Sequence, residues 1–228
     1  ILALETSGEA GSIALQCNHA VHSIQLESGP AQSASALERV GQLLATGGCR
    51  LQDLDCIAFS AGPGAFTGLR LGCGLAQGLA MGAGIGVMPI GTLDALAAQV
   101  ADGDVVAAID ARMGELYWAR FRCTDGLPRS IDEPSCVSPT NWLLPDVTGY
   151  TGIGSAFKVH AAVLSNGAGS RFSAILDDRT PAATEVARLA AHALLGRAAI
   201  DPVLAAPMYV RNKVAQTTAE RLAQGGRA

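Results

Sequence analysis

The sequence predicts an α/β protein built as two successive lobes with mixed sheets. Two buried-strand runs, ILALE (Ile1–Glu5) and VVAAIDA (Val105–Ala111), each lead through a polar turn into a hairpin. Elsewhere, apolar runs of strand length alternate with longer stretches of helical periodicity. The 228 residues, 49% of them hydrophobic, suffice for one large domain or two small ones with real cores. The expected lobes are residues 1–103 and 104–228, each of βββαβα type, the second carrying the C-terminal tail.

In the first lobe, TSGEAG after Glu5 is a turn rich in residues that tolerate unusual backbone angles. GSIALQC and AVHSIQLE read as two further strands, with Asn18-His19 as the tight turn between them. Ala31–Ala45 reads as helix, with Leu37, Val40, Gly41 and Leu44 at helical spacing. CIAFSAG (Cys56–Gly62) is a buried strand, and a glycine-rich helix follows from about Thr67 to Ala83. IGVMPI is a strand, and Leu93–Val100 a helix capped by Thr92. The order is βββαβαβα.

The second lobe begins near Asp104. ELYWARF (Glu115–Phe121) alternates as the hairpin partner of VVAAIDA, with RMG as the turn. Asp125–Pro145 reads as loop with short elements. VTGYTGIGS suggests a strand and a glycine turn, and AFKVHAAVL and TEVARLAAHALLG two helices. The tail from Ala206 has little apolar periodicity and either wraps onto the body or hangs free.

The glycine-rich helix is the least conventional element. Six glycines fall between Gly68 and Gly84, and each costs a helix about 1 kcal/mol relative to alanine. Gly74, Gly78 and Gly82 recur every four residues, as do Gly68 and Gly72, a stripe along which another backbone can approach closely. Leu69, Leu75, Leu79 and Met81 make the helix apolar nearly all round, so its sheet covers one side and a further layer or a partner the other. The uncharged run Leu71–Leu93 is long enough to span a bilayer, but its glycines and Pro89 favour a buried helix followed by a buried strand.

Composition excludes some classes. A net charge of −4 lacks the basic balance of a free-standing nucleic-acid binder. The six cysteines contain no C-x-x-C pair and several lie in apolar runs. With no charged n-region and apolar h-region at the start, the expectation is a reducing, cytoplasmic compartment. No pair among His19, His22, His160 and His192 has the helical spacing of a zinc site, so no metal site is expected. There is no G-x-S-x-G elbow around Ser60 or elsewhere.

The topological echo resembles the duplicated, actin-like (ASKHA) fold of actin, hexokinase and Hsp70, in which nucleotide binds between the halves. There the first strand of each half ends in an aspartate, which places magnesium, and a small-residue turn that presents N–H groups to phosphate. Here the turns read Glu5-Thr6-Ser7 and Asp110-Ala111-Arg112. Glu5 is one methylene too long, and Arg112 stands where phosphate would approach. A vestigial cleft is therefore favoured, with Thr6, Ser7, Gly62, Gly64 and Asp110 as the residues that would line any nucleotide site. Gly62-Pro63-Gly64 makes a sharp strand-to-helix turn, Thr67 can cap the helix, and its N–H groups suit an anion.

ILALETS, AGPGAFTGLRLG, IDARMGELYWARF and PMYVR, in this order and spanning most of the chain, resemble the bacterial TsaB (YeaZ) family. The resemblance implies a role in making threonylcarbamoyladenosine (t6A) in tRNA, in a complex with TsaD and TsaE. TsaD carries an H-x-x-x-H metal pair on a helix of its first half. The corresponding helix here has no histidine, and Gln32 stands near where many relatives keep one. The resemblance thus implies a non-catalytic subunit that scaffolds and activates TsaD. ATP and metal are expected in the partners, none is required by this chain, and tRNA is contacted only within the complex. It further implies pairing with TsaD through Ala31–Ala45 and Thr67–Ala83, homodimers through the same helices when alone, and no membrane. The expected interface residues are Leu71, Gly74, Leu75, Gln77, Gly78, Met81 and Gly82. The alternative is an active kinase or hydrolase of the actin-like fold using Asp110 and Glu5, and a third reading, a peptidase, lacks its metal histidines and nucleophile elbow.

Overall fold

The computed structural model describes residues 1–17 and 20–211, so the expected Asn18-His19 turn and the tail from residue 212 lie outside the described residues. Strand β1 (Leu2–Glu5) pairs antiparallel with β2 (Ser12–Cys17), Leu2 facing Leu15, and β2 pairs antiparallel with β3 (Ala20–Gln25). On its other edge β1 is parallel to β4 (Cys56–Gly62), which is parallel to β5 (Gly86–Gly91). The order is β3-β2-β1-β4-β5, a mixed sheet.

The second sheet repeats this plan. β6 (Gly103–Arg112), β7 (Glu115–Thr124) and β8 (Leu127–Ser130) form the antiparallel meander. The short β9 (Ser135–Val137) also pairs with β7. β10 (Tyr150–Ile153) lies parallel to β6, and β11 (Phe172–Leu176) parallel to β10. Read from the other edge, the order β8-β7-β6-β10-β11 matches the first sheet's β3-β2-β1-β4-β5 strand for strand, which makes the duplication of the actin-like fold explicit.

Helices sandwich the first sheet. α1 (Pro30–Gly47) and α2 (Phe66–Ala83) cover the face carrying Leu2, Leu4, Ile13, Leu15, Ile57 and Phe59. The opposite face carries Ala3, Ala14 and Ala58, and α6 (Ala183–Leu194) packs on it through Ala183, Val186, Ala187 and Ala190. Alternation along β1 puts large side chains on one face and alanine on the other, so α6 approaches closely. The amide of Ala183 donates to Ser12 Oγ at 2.9 Å. α3 (Thr92–Ala97) sits between the lobes, with Leu93, Leu96 and Ala97 against Val105, Ala107 and Ile109 of β6. The outer face of the second sheet buries Trp142, Tyr150 and Phe157 beneath α4 (Ala156–Val159) and α5 (Ala161–Ala168).

Several sequence expectations change. β11 was not anticipated. AFKVHAAVL breaks at His160 into two short helices. Neither Thr67 nor Thr92 caps a helix: the cap positions are Ala65 and Gly91, without side-chain cap bonds. In α1 the buried positions include Ala36, Val40 and Leu43, whereas Leu37 and Gly41 face outward. The uncharged run around Leu71–Leu93 resolves into the latter part of α2 and β5, and no helix among the described residues is long and apolar enough to cross a membrane.

Candidate functional site

The glycines of α2 fall into two sets with different neighbours. Gly68 and Gly72 are buried against the turn after β1: a Cβ on Gly68 would overlap the Thr6 carbonyl oxygen, and one on Gly72 would lie 2.5 Å from Thr6 Oγ1. The Thr6 hydroxyl donates to the Gly68 carbonyl at 2.7 Å. These glycines let the helix descend onto its own sheet. Gly74, Gly78 and Gly82 are exposed, and apart from chain neighbours and the helix's own backbone no described atom lies within 4 Å of a Cβ built on any of them. Two residues of helix, about 200° of rotation, separate Gly72 from Gly74 and put the two sets on different faces.

The expected interface residues divide the same way. Gly74, Gly78 and Gly82 form the open ridge, and Met81 beside them is 61% exposed. Leu71 and Leu75 are half-buried, and Leu75 packs partly into the core under the sheet. Gln77 turns sideways: its Nε2 donates to the carbonyls of Pro202 at 3.0 Å and Ala205 at 3.3 Å, fastening the C-terminal segment to α2. On α1, Leu37 is 58% exposed. An apolar, partly side-chain-free surface of this kind is complementary to another helix.

Between the lobes lies a cavity of about 250 Å³, lined by the Pro63–Phe66 turn, Leu69, Ala111, Arg112, Tyr117 and Met208–Arg211. The polar groups expected there are occupied within the chain. Glu5, 1% exposed, accepts from the Ser7 amide at 2.6 Å, from the Ser7 hydroxyl at 2.5 Å and from the Ser60 hydroxyl. Burial pushes its carboxyl above the usual range despite these bonds. The Ser7 carbonyl accepts from Ala65 N, and a Cβ on Gly64 would meet Ser7 at 2.7 Å. Gly62, at φ 125°, lies against the tail, where Met208 N donates to Ala61 O at 2.6 Å. Asp110 faces His160 Nε2 at 3.2 Å and accepts from Arg112 N at 3.2 Å, while the Arg112 guanidinium crosses the cleft to Glu9. As placed, Thr6, Ser7, Gly62 and Gly64 serve internal packing rather than a phosphate cradle, and Glu5 is sealed beneath its turn. These residues do not fit a magnesium–nucleotide group. Among the described residues there is no cluster of three or more His, Cys, Asp or Glu side chains able to hold a metal.

One feature of the cleft had only the PMYVR run to signal it. The segment from Pro202 to Arg211 straps α2 to the second lobe. Tyr209 packs against Phe66 with ring centroids 5.5 Å apart and the rings tilted by 36°, and its hydroxyl accepts from Arg70 Nε at 3.1 Å. Arg211 pairs with Glu115 at 2.5 Å and donates to the Ala111 carbonyl at 2.9 Å.

The family profile described as "TsaD: tRNA N6-adenosine threonylcarbamoyltransferase" matches residues 30–210. The "tRNA threonylcarbamoyladenosine biosynthesis protein TsaB" of Escherichia coli (strain K12) is 32% identical over 227 residues, covering 94% of this chain and 96% of that protein. Its namesake from Haemophilus influenzae is 42% identical over 124 residues, 53% of this chain and 52% of that one, so this match spans about half of each. Among solved structures, "YeaZ from Pseudomonas aeruginosa" superposes with a TM-score of 0.82 at 32% identity, covering 91% of this chain and 98% of that one. A second, titled as an uncharacterized protein with similarity to peptidase YEAZ from Pseudomonas aeruginosa, gives a TM-score of 0.83 at 31% identity, covering 92% and 98%.

Proposed function

The chain belongs to the TsaB (YeaZ) family of tRNA threonylcarbamoyladenosine biosynthesis proteins, and from that premise we propose that it is a non-catalytic subunit that scaffolds and activates the threonylcarbamoyltransferase TsaD. The observation that carries this reading is the open ridge of Gly74, Gly78 and Gly82, flanked by exposed Met81. Three glycines weaken an exposed helix by about 1 kcal/mol each and gain nothing inside the isolated chain. Against a partner helix the same positions allow a backbone-close crossing, with dispersion contacts along its length.

The cleft supports the non-catalytic part of the reading. Its would-be metal acid is buried under Ser7 and Ser60, and its phosphate turn is packed against Ser7 and the C-terminal strap. ATP and metal chemistry then belong to the partners, TsaD and TsaE, and tRNA is met only in the complex. Alone, the chain is expected to pair with a second copy through the same ridge.

Co-expression with TsaD, followed by size-exclusion chromatography with and without nucleotide, tests the reading. A 1:1 complex that makes t6A with the remaining components, while the isolated chain makes none, is expected. Turnover by the isolated chain, or tight magnesium–ATP binding lost on Asp110→Ala, would instead favour an active kinase or hydrolase of this fold.

A further inference from the structure

We propose that Cys17 and Cys49 form a redox-responsive dithiol that closes to a disulfide in the presence of a small-molecule disulfide such as oxidised glutathione, clamping the end of β2 to the C-terminal cap of α1. The two sulfurs lie 3.5 Å apart although 32 residues separate them in sequence, and both thiols are free and half-buried. A disulfide needs about 2.05 Å between sulfurs, so closure asks for roughly 1.5 Å of movement, within reach of side-chain rotation.

The backbone on both sides is held in place. Cys17 is the last residue of β2, paired with Ala20 of β3. Cys49 follows Gly48, which ends α1 at φ 63°, and the Cys49 amide donates to the Leu44 carbonyl at 3.1 Å. Gly47 leaves the room: a Cβ there would stand 3.4 Å from the Cys17 sulfur, 3.6 Å from the Cys49 sulfur and 2.6 Å from Leu15. The other cysteines lack this arrangement. Cys56, Cys73 and Cys123 are buried, and the Cys136 sulfur lies 3.5 Å from the Glu115 carboxylate.

The chemistry is two exchanges. One cysteine thiolate attacks a sulfur of glutathione disulfide, forming a mixed disulfide and expelling one glutathione thiolate. The second cysteine thiolate attacks the protein-side sulfur, forms the Cys17–Cys49 bond and expels the other glutathione. Two electrons pass to the glutathione disulfide, and the two protein thiol protons end on the two glutathione thiols. Burial and the neighbouring Cys17 push the Cys49 thiol up, which slows its attack at neutral pH and makes Cys49 a poor leaving group once the disulfide has closed.

The test incubates the purified full chain with oxidised glutathione. Expected are an intact mass lower by two hydrogens, a Cys17–Cys49 cross-linked peptide, and a melting temperature raised by roughly 5–10 °C and restored by dithiothreitol. C17S and C49S, which keep the packing volume, should each gain no such rise and retain a single bound glutathione on the remaining partner. Wild-type protein that keeps all six thiols, holds glutathione at Cys17 or Cys49 without closing, or cross-links through another cysteine overturns the proposal.

Discussion

Thr6 and Gly68 meet across the base of α2: the threonine hydroxyl donates to the glycine carbonyl at 2.7 Å, and the threonine carbonyl occupies the space where a side chain on residue 68 would stand. Ten residues along the same helix, Gly78 has no described atom beyond its own helix near its missing side chain. Alanine at the two positions should therefore act with opposite sign. Gly68→Ala is expected to cost about 1–3 kcal/mol through forced separation of helix and turn, and Gly78→Ala to add about 0.5–1 kcal/mol through helix propensity. Urea unfolding at protein concentrations low enough for the chain to be monomeric checks both. Equal destabilisation would remove the distinction between the inward and outward glycines.

Leucine on the ridge probes the partner reading. Gly74→Leu and Gly78→Leu put a branched side chain onto a surface open in the isolated chain. Stability should rise by about 0.5–1 kcal/mol through helix propensity, as for Gly78→Ala, while affinity for TsaD falls on the order of 10-fold or more. Pull-down and circular dichroism on the same preparations separate the two effects. Undiminished co-purification would place the interface elsewhere.

Glu5 makes stability depend on pH. Burial raises its folded carboxyl above the usual 4.5 and outweighs the bonds from Ser60 and Ser7 that favour the charged form. The folded chain thus holds this proton more tightly than the unfolded chain. The stabilisation is complete below about pH 4.5 and is lost as pH rises through the folded value. Glu5→Gln, neutral throughout, should match the parent in acid and exceed it at pH 7–8. Glu5→Ala should lose about 1–3 kcal/mol at every pH, because the Ser7 amide and two hydroxyls lose their acceptor. Unfolding curves of the three proteins from pH 4 to 8 decide the matter. A Gln variant that weakens relative to the parent as pH rises would refute it.

The C-terminal strap should depend on Arg211. Its guanidinium, largely covered, pairs with Glu115 and donates to the Ala111 and Arg112 carbonyls. Arg211→Ala is expected to cost about 1–3 kcal/mol and to speed thermolysin cleavage around Val203–Tyr209. Tyr209→Ala, which removes the Phe66 ring contact and the Arg70 bond, should do the same more weakly. An unchanged digestion rate would mean that other contacts hold the segment.

The succession of elements in the first lobe, and β6, β7 and β10 in the second, was legible, because buried strands in this fold are continuous apolar runs and its turns are glycine-rich. β11 was missed because FSAIL is mostly exposed at its sheet's edge, with no buried face to impose a pattern. The face of α1 was misassigned for a related reason. Leu37 and Leu44 outweigh Ala36 in any hydrophobic count, yet Ala36 is buried and Leu37 is not. A helix with apolar residues on both sides gives no single phase to read. The α2 glycines were legible as a stripe but not as two faces, although the step from Gly72 to Gly74 carried that information. Long-range partnerships such as Gln77 with the Pro202 carbonyl, 125 residues away, have no local signature.

The alanine-lined underside of the first sheet has a consequence for biosynthesis. Its last strand ends at Gly91, but the helix that roofs it starts only at Ala183. At ordinary elongation rates of about 5–20 residues per second, the ribosome needs roughly 5–20 s to deliver that roof. For this interval the nascent chain carries a finished sheet with one greasy side bare, and truncations before residue 183 should stay trapped there, as clients of chaperones rather than as free-standing half-molecules.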